Sequence, residues 1–213
     1  MITDNNSNAR RVKMRKIPIT ALTAMAMLAA SATIASAHVG LGYAGGFAHG
    51  FWHPIGGVDH VLAMVMVGLF AAQLGGRALY LVPATFVSVM AIGCAVGFAG
   101  LPVPFIELGI GLSIVVLGTA VALGFRTVIA VAMAMVGFFG LFHGYAHGAE
   151  MPETVAGLAY CAGLIIATAL LHSCGLALGL IAASRGGHRG ETLMRAAGGL
   201  TAVAGVAIVT GII

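Results

Sequence analysis

Along its length the chain alternates long apolar stretches with brief punctuation by Gly, Pro and Arg. Six such stretches lie at 54–75, 78–99, 105–124, 127–148, 154–183 and 193–213. Each reaches about 20 residues or more, the length an α-helix needs to cross the hydrocarbon of a bilayer. The pattern predicts an all-α polytopic membrane bundle of six transmembrane helices. The fifth stretch exceeds an upright span and is expected to tilt, kink or project.

A further apolar run precedes these six and is built differently. Arg10, Arg11, Lys13, Arg15 and Lys16 form a positive region, an apolar run follows from Ile17 to Ala30, and Ala35-Ser36-Ala37 makes a small-x-small site. This is the pattern of a cleavable signal peptide. It divides the chain into a signal peptide at 1–37 and a mature transmembrane domain at 38–213, with His38 as first residue and Met14 as an alternative start. The alternative is an uncleaved anchor helix over 17–37, long enough to span. Both readings put residue 38 on the outer side. Threading the six stretches from there brings Arg77, Arg126, Arg185, Arg189 and Arg195 to the inner side, as the positive-inside rule requires. The expected location is the bacterial inner membrane, with the mature N-terminus periplasmic.

Composition supports a lipid solvent. Of 213 residues 60% are hydrophobic and 8% charged, and mean hydropathy is +1.07; a water-soluble surface needs far more charge. The 32 glycines suit helices that must approach closely where lipid supplies no hydrophobic drive. The net charge of +4 is no nucleic-acid signal, because half of the ten basic residues sit in the N-terminal run and no basic face interleaves with aromatics. Cys94, Cys161 and Cys174 are odd in number and lie in apolar stretches, so they read as small buried hydrophobes and not as a disulfide framework.

With so little charge, ionisable residues within spans mark function. The first cluster is His49-Gly50-Phe51-Trp52-His53-Pro54-Ile55-Gly56-Gly57-Val58-Asp59-His60. Pro54 suits the first turn of a helix. On a continuous helix His60 lies about 20° around the axis from His53 and two turns deeper. Asp59 falls on the flank, to ligate metal or to orient an imidazole, and His49 sits on a loop above the same face. The second cluster is His143-Gly144-Tyr145-Ala146-His147-Gly148-Ala149-Glu150. His143 and His147 are one turn apart, and Glu150 extends the stripe if the helix persists. Imidazoles at i, i+4 with a carboxylate make a metal-ligand face. Both clusters fall in the outer half of the bundle. Their shared His-Gly-aromatic-x-His pattern reflects shared chemistry; an inversion axis would not relate two clusters on one side.

Other residues carry weaker signals. His172, deep in the fifth stretch, is a core histidine bonded to a carbonyl or an inner ligand with Cys174 or Met residues nearby. His38, if it is the first mature residue, offers α-amine and imidazole to one ion. Glu107 opens the third stretch at the outer interface. Met64, Met66, Met90, Met133 and Met135 read as packing, Trp52, Phe51 and Tyr145 as an interfacial belt, and His188 as solvated.

His53-Pro54-x-x-Gly57-x-Asp59-His60 resembles the first-span signature of the HupE/UreJ family of bacterial nickel permeases, and Phe142-His143-Gly144-x-Ala146-His147-Gly148-x-Glu150 resembles its second. The signal peptide, the histidine after it and the six spans are also similar to that family, over essentially the whole mature chain. The resemblance implies secondary transport of Ni2+ for hydrogenase or urease, with some relatives linked to cobalt. It also implies that His53, Asp59, His60, His143, His147 and Glu150 are the functional residues. Five residues separate His53 from Asp59, where the other nickel/cobalt permease family has four, so that family's details do not transfer.

The leading expectation is therefore a permease and not an enzyme. It carries a divalent transition metal, Ni2+ first, with Co2+, Cu2+ and Zn2+ also matched to imidazole. No Gly-x-x-x-x-Gly-Lys-Ser/Thr phosphate loop occurs, so the drive is the metal gradient, a coupled proton or the membrane potential, which supplies about 4.6 kcal/mol to a divalent ion at ~100 mV. The alternatives are an intramembrane metalloenzyme with a metal-bound water, a metal-binding accessory or sensor protein, and a haem-binding bundle, against which the carboxylates argue.

Overall fold

The computed structural model describes residues 41–151, 156–184 and 187–212. They form seven helices: α1 (Leu41–Gly56), α2 (Val58–Leu74), α3 (Ala78–Phe98), α4 (Ile106–Ala122), α5 (Ile129–Ala149), α6 (Gly157–Ser184) and α7 (Gly187–Val209). No strand occurs among the described residues. The expected signal peptide at 1–37 and His38 lie outside the described residues. Helices α3, α5, α6 and α7 are long and apolar enough to cross a membrane. The pair α1–α2 passes the same test as one broken unit, and α4, at 17 residues, is a shorter apolar helix.

The first predicted stretch is corrected. Pro54 does not open a helix; it sits in the last turn of α1. Its missing N–H leaves the Gly50 carbonyl without a helical partner, and Gly56-Gly57 follows at once. Gly57 is extended, at φ −96° and ψ 119°, and the chain restarts as α2 after a bend of 82°. His53 and His60 are therefore on different helices, not two turns apart on one. His49, expected on a loop, is in α1. The last stretch is also corrected: α7 begins at Gly187, two turns before residue 193. Its polar first turns hold an exposed Glu191–Arg195 pair at 3.1 Å, the i, i+4 spacing that supports a helix.

Small residues set the packing. On α5, Gly140, Gly144 and Gly148 lie against the carbonyls of Phe86, Met90 and Cys94 of α3. In return, Gly93 and Gly97 of α3 lie against the carbonyls of Leu141 and Tyr145. Backbone meets backbone along both helices, and a side chain at these positions would force them apart. The same device joins α4 to α7 at Gly118 and Gly198, where a β-carbon on either would meet the other helix's backbone at 2.6–2.8 Å. Helix α6, about 42 Å long at 28 residues, packs mainly on α1 and α2. Gly163 lies against Phe47 of α1, and Gly175 against Val65 of α2. Helix α2 is buried nearly all round from Ala63 to Ala71 and forms the centre.

The exterior is not that of a water-soluble fold. Ser113, His143, His147, Thr168 and His172 are buried, while Phe98, Phe138, Leu158, Leu200 and Val203 are exposed. Apolar surface outside and polar groups inside suit a molecule solvated by lipid. The two ends of the bundle differ. Gln73, near the end of α2, donates to the Ala120 and Phe125 carbonyls at the end of α4. A cavity of about 270 Å3 there is lined by Gln73, Arg126, Ala183, Glu191 and Arg195. Arg77, between α2 and α3, lies at this same end. The start of α2 and the close of α5, at the opposite end, carry the histidines.

Candidate metal centre

Six rings form a file into the protein. His49 lies 6.0 Å from His53, His53 5.0 Å from His147, His147 4.6 Å from His60, and His60 4.9 Å from His143, centroid to centroid. Phe86 continues the file at 5.6 Å from His143. His49 is exposed, His53 and His60 are partly buried, and His143 and His147 are fully buried. The 82° bend at Gly57 sets α1 across the start of α2, so that His53 and His60 both reach His147 of α5. Space, not conformation, favours glycine at 57: a β-carbon there would lie 2.7 Å from the Asp59 carboxylate and 3.1 Å from His60 Nδ1.

Neighbouring acceptors decide where each ring carries its proton. Asp59 Oδ1 accepts from His60 Nδ1 at 3.0 Å, so the lone pair of His60 is on Nε2, which is buried without a partner. His143 Nε2 lies 2.9 Å from Ser113 Oγ, and that hydroxyl spends its one proton on the Ile110 carbonyl at 2.6 Å. The serine oxygen must therefore accept from His143 Nε2–H. His143 Nδ1 is left bare, buried and unpartnered, and both ring nitrogens of His147 are buried and unpartnered. Buried polar atoms are normally satisfied. Here adjacent imidazoles keep ring nitrogens unpaired, held in orientation by a carboxylate and a serine, as outer-shell partners hold metal-ligating histidines.

Glu150 does not continue the α5 stripe as a helical residue. It is the residue after the last turn, and its carboxylate reaches His53 Nε2 at 3.0 Å. This pair forms the exposed mouth of the file. Among the described residues no group of three His, Cys, Asp or Glu has donor atoms already converging on one point. The rings pack edge to face and tilted, with interplanar angles of 53–87° between His60, His143, His147 and His53. Their spacing nevertheless matches that of imidazoles sharing one ion, whose centroids stand about 5 Å apart at ordinary metal–nitrogen distances.

His172 is buried and bonded to a carbonyl, with Nδ1 donating to Met64 at 2.8 Å. Cys174, expected near it, is exposed on the other side of α6. Glu107 is exposed in the first turn of α4. Cys94 and Cys161, expected to be small buried hydrophobes, are buried and half-buried and meet across α3 and α6 with Sγ atoms 3.3 Å apart. Sequence reasoning missed Ser113, Phe86 and Tyr160, whose ring lies 6.0–6.1 Å from His49 and His53. Ser113 was open to detection as a hydroxyl inside an apolar span. Phe86 and Tyr160 were not, because only contact with the histidines distinguishes them.

The sequence model described as "HupE / UreJ protein" matches residues 25–208. The chain is 44% identical over 179 residues to "Protein HupE" from Rhizobium leguminosarum bv. viciae, covering 84% of this chain and 92% of that relative. No solved structure matches. A family match that runs through all seven helices and both histidine clusters places the chain in the HupE/UreJ family.

Proposed function

We propose that this protein is a secondary transporter that carries a divalent transition metal, most of all Ni2+, inward across the bacterial inner membrane. Its family is associated with nickel and cobalt uptake for hydrogenase and urease. In this reading α2 to α7 are the six spans, α1 is a helical arm at the periplasmic end, and the arginine end faces the cytoplasm. The observation that carries the reading is the contact of His60, His143 and His147 from two helices, each ring with a buried, uncommitted nitrogen.

The ion is cargo. Glu150 and His53 at the mouth attract it and begin to replace its water. His147 is next in the file, and its rotation with His60 and His143 turns three lone pairs toward one point. Neutral imidazoles hold a borderline cation without the permanence of a thiolate cage. Co2+, Cu2+ and Zn2+ fit the same donors, and the pocket of imidazoles sets class more than identity.

Uptake of radiolabelled Ni2+ into proteoliposomes tests the reading, with wild type set against His60→Ala and His147→Ala. Wild-type flux that falls at least ten-fold in both variants is expected. Flux that survives both substitutions sinks the site. Tight binding by wild type with no flux makes the protein a metal-binding accessory and not a carrier.

A further inference from the structure

Cys94 and Cys161 each stand one turn from the histidine end of the bundle, since α3 closes at Phe98 and α6 opens at Gly157. Cys94 is buried and Cys161 half-buried, and their Sγ atoms are 3.3 Å apart. Cys174 is exposed and lies more than three turns further along α6, about 20 Å away. It accounts for the odd count of cysteines and cannot compete for either partner.

Backbone packing joins each thiol to one side of the histidine file. The Cys94 carbonyl lies against Gly148 of α5, next to His147. The Tyr160 carbonyl, one residue before Cys161, lies against Gly50 of α1, and the Tyr160 ring is 6.0–6.1 Å from His49 and His53. The thiols therefore meet where the α3–α5 seam faces the α1–α6 seam. At the mouth His53 reaches across the same divide to Glu150 and His147.

We propose that Cys94 and Cys161 are a modification site: on the outer side of the membrane they are oxidised to a disulfide that clamps the two seams and holds His53 against Glu150 and His147. The proposal takes from the carrier reading above only the side on which the pair lies. In bacteria that side is an oxidising compartment. The oxidant is an extracytoplasmic disulfide. The Cys161 sulfur, the more accessible, attacks it and forms a mixed disulfide, and the Cys94 sulfur then displaces the oxidant from Cys161. One S–S bond forms and one breaks; the two thiols lose two electrons, and the oxidant leaves as a dithiol with both protons. The product is neutral, which suits apolar surroundings. It joins residues 67 positions apart, a length at which a cross-link restricts the unfolded chain strongly. A clamped mouth meets the ion with its donors already ordered, which raises affinity by lowering the cost of ordering them.

The test first reads the thiols in cells. Acid-quenched membranes are alkylated with a maleimide and digested. Mass spectrometry is expected to find a peptide linked through Cys94 and Cys161, with Cys174 alkylated. Alkylated Cys94 and Cys161 overturn the proposal. If Leu101→Cys is then labelled from outside, the disulfide alone fails; if it is sealed, the orientation fails with it. Purified protein shows what the bond does. Reduction by a phosphine, removed before measurement, is expected to lower Tm by about 5 °C or more. Ni2+ affinity by calorimetry is expected to fall about three-fold or more. Cys94→Ser and Cys161→Ser, made together, should match the reduced protein and ignore the phosphine, whereas Cys174→Ser should respond as wild type does. A linked protein whose affinity is unmoved by reduction overturns the clamp on the mouth. None of these readouts needs flux, so a linked protein that responds as expected but takes up no Ni2+ leaves the proposal standing and sinks the carrier reading alone.

Discussion

An imidazole ligates through the nitrogen that its proton leaves bare, and in this bundle the neighbours choose that nitrogen. Asp59 chooses it for His60 and Ser113 for His143. Ser113→Ala leaves His143 Nε2–H without an acceptor; isothermal calorimetry should find Ni2+ affinity lowered about 10–100-fold, with helical content retained by circular dichroism. Asp59→Ala should act likewise on His60, and Asp59→Asn less, since an amide oxygen still accepts. At the mouth, Glu150 is more than half exposed, so Glu150→Gln should change stability by less than about 1 kcal/mol in thermal melts while slowing uptake at low Ni2+. The candidate ligands themselves were legible, because ionisable residues in apolar stretches are few. Ser113 was not tied to them, since its role exists only through a contact thirty positions along the chain.

Between elements, stability rests on close backbone approach. A β-carbon at Gly144 runs into the Met90 carbonyl, whereas one at Gly199 meets nothing within 4 Å. Gly144→Ala should lower stability by about 1–3 kcal/mol, and Gly199→Ala should be neutral or stabilise by up to about 1 kcal/mol, compared by thermal melting in detergent. The α3–α6 contact has its own check. Mild iodine oxidation should couple Cys94 to Cys161, detected as an intramolecular disulfide by mass spectrometry, given Sγ atoms 3.3 Å apart. Most helix limits were legible from Gly, Pro and Arg punctuation. The first was misread because Pro54 is acceptable both at a helix start and in a last turn, and local sequence does not choose between them.

At the scale of the molecule, the histidine and arginine ends set a direction. In a background without Cys94, Cys161 and Cys174, a membrane-impermeant maleimide should label Leu101→Cys in intact spheroplasts and Val128→Cys only after permeabilisation. Both positions are exposed, at 55% and 68%, and they lie in loops at opposite ends of the bundle. The reverse labelling pattern would invert the proposed orientation. The sequence by itself determined the helical class, the apolar exterior and the small set of polar residues available for chemistry, because lipid admits few alternatives. Only the tertiary structure decided that His53 and His60, on either side of a bend, both meet His147, that Phe86 links the outer imidazoles to His172, and which ring nitrogens stay bare. Those outcomes depend on which helices touch, and glycine seams without directional side chains carry that information only in three dimensions.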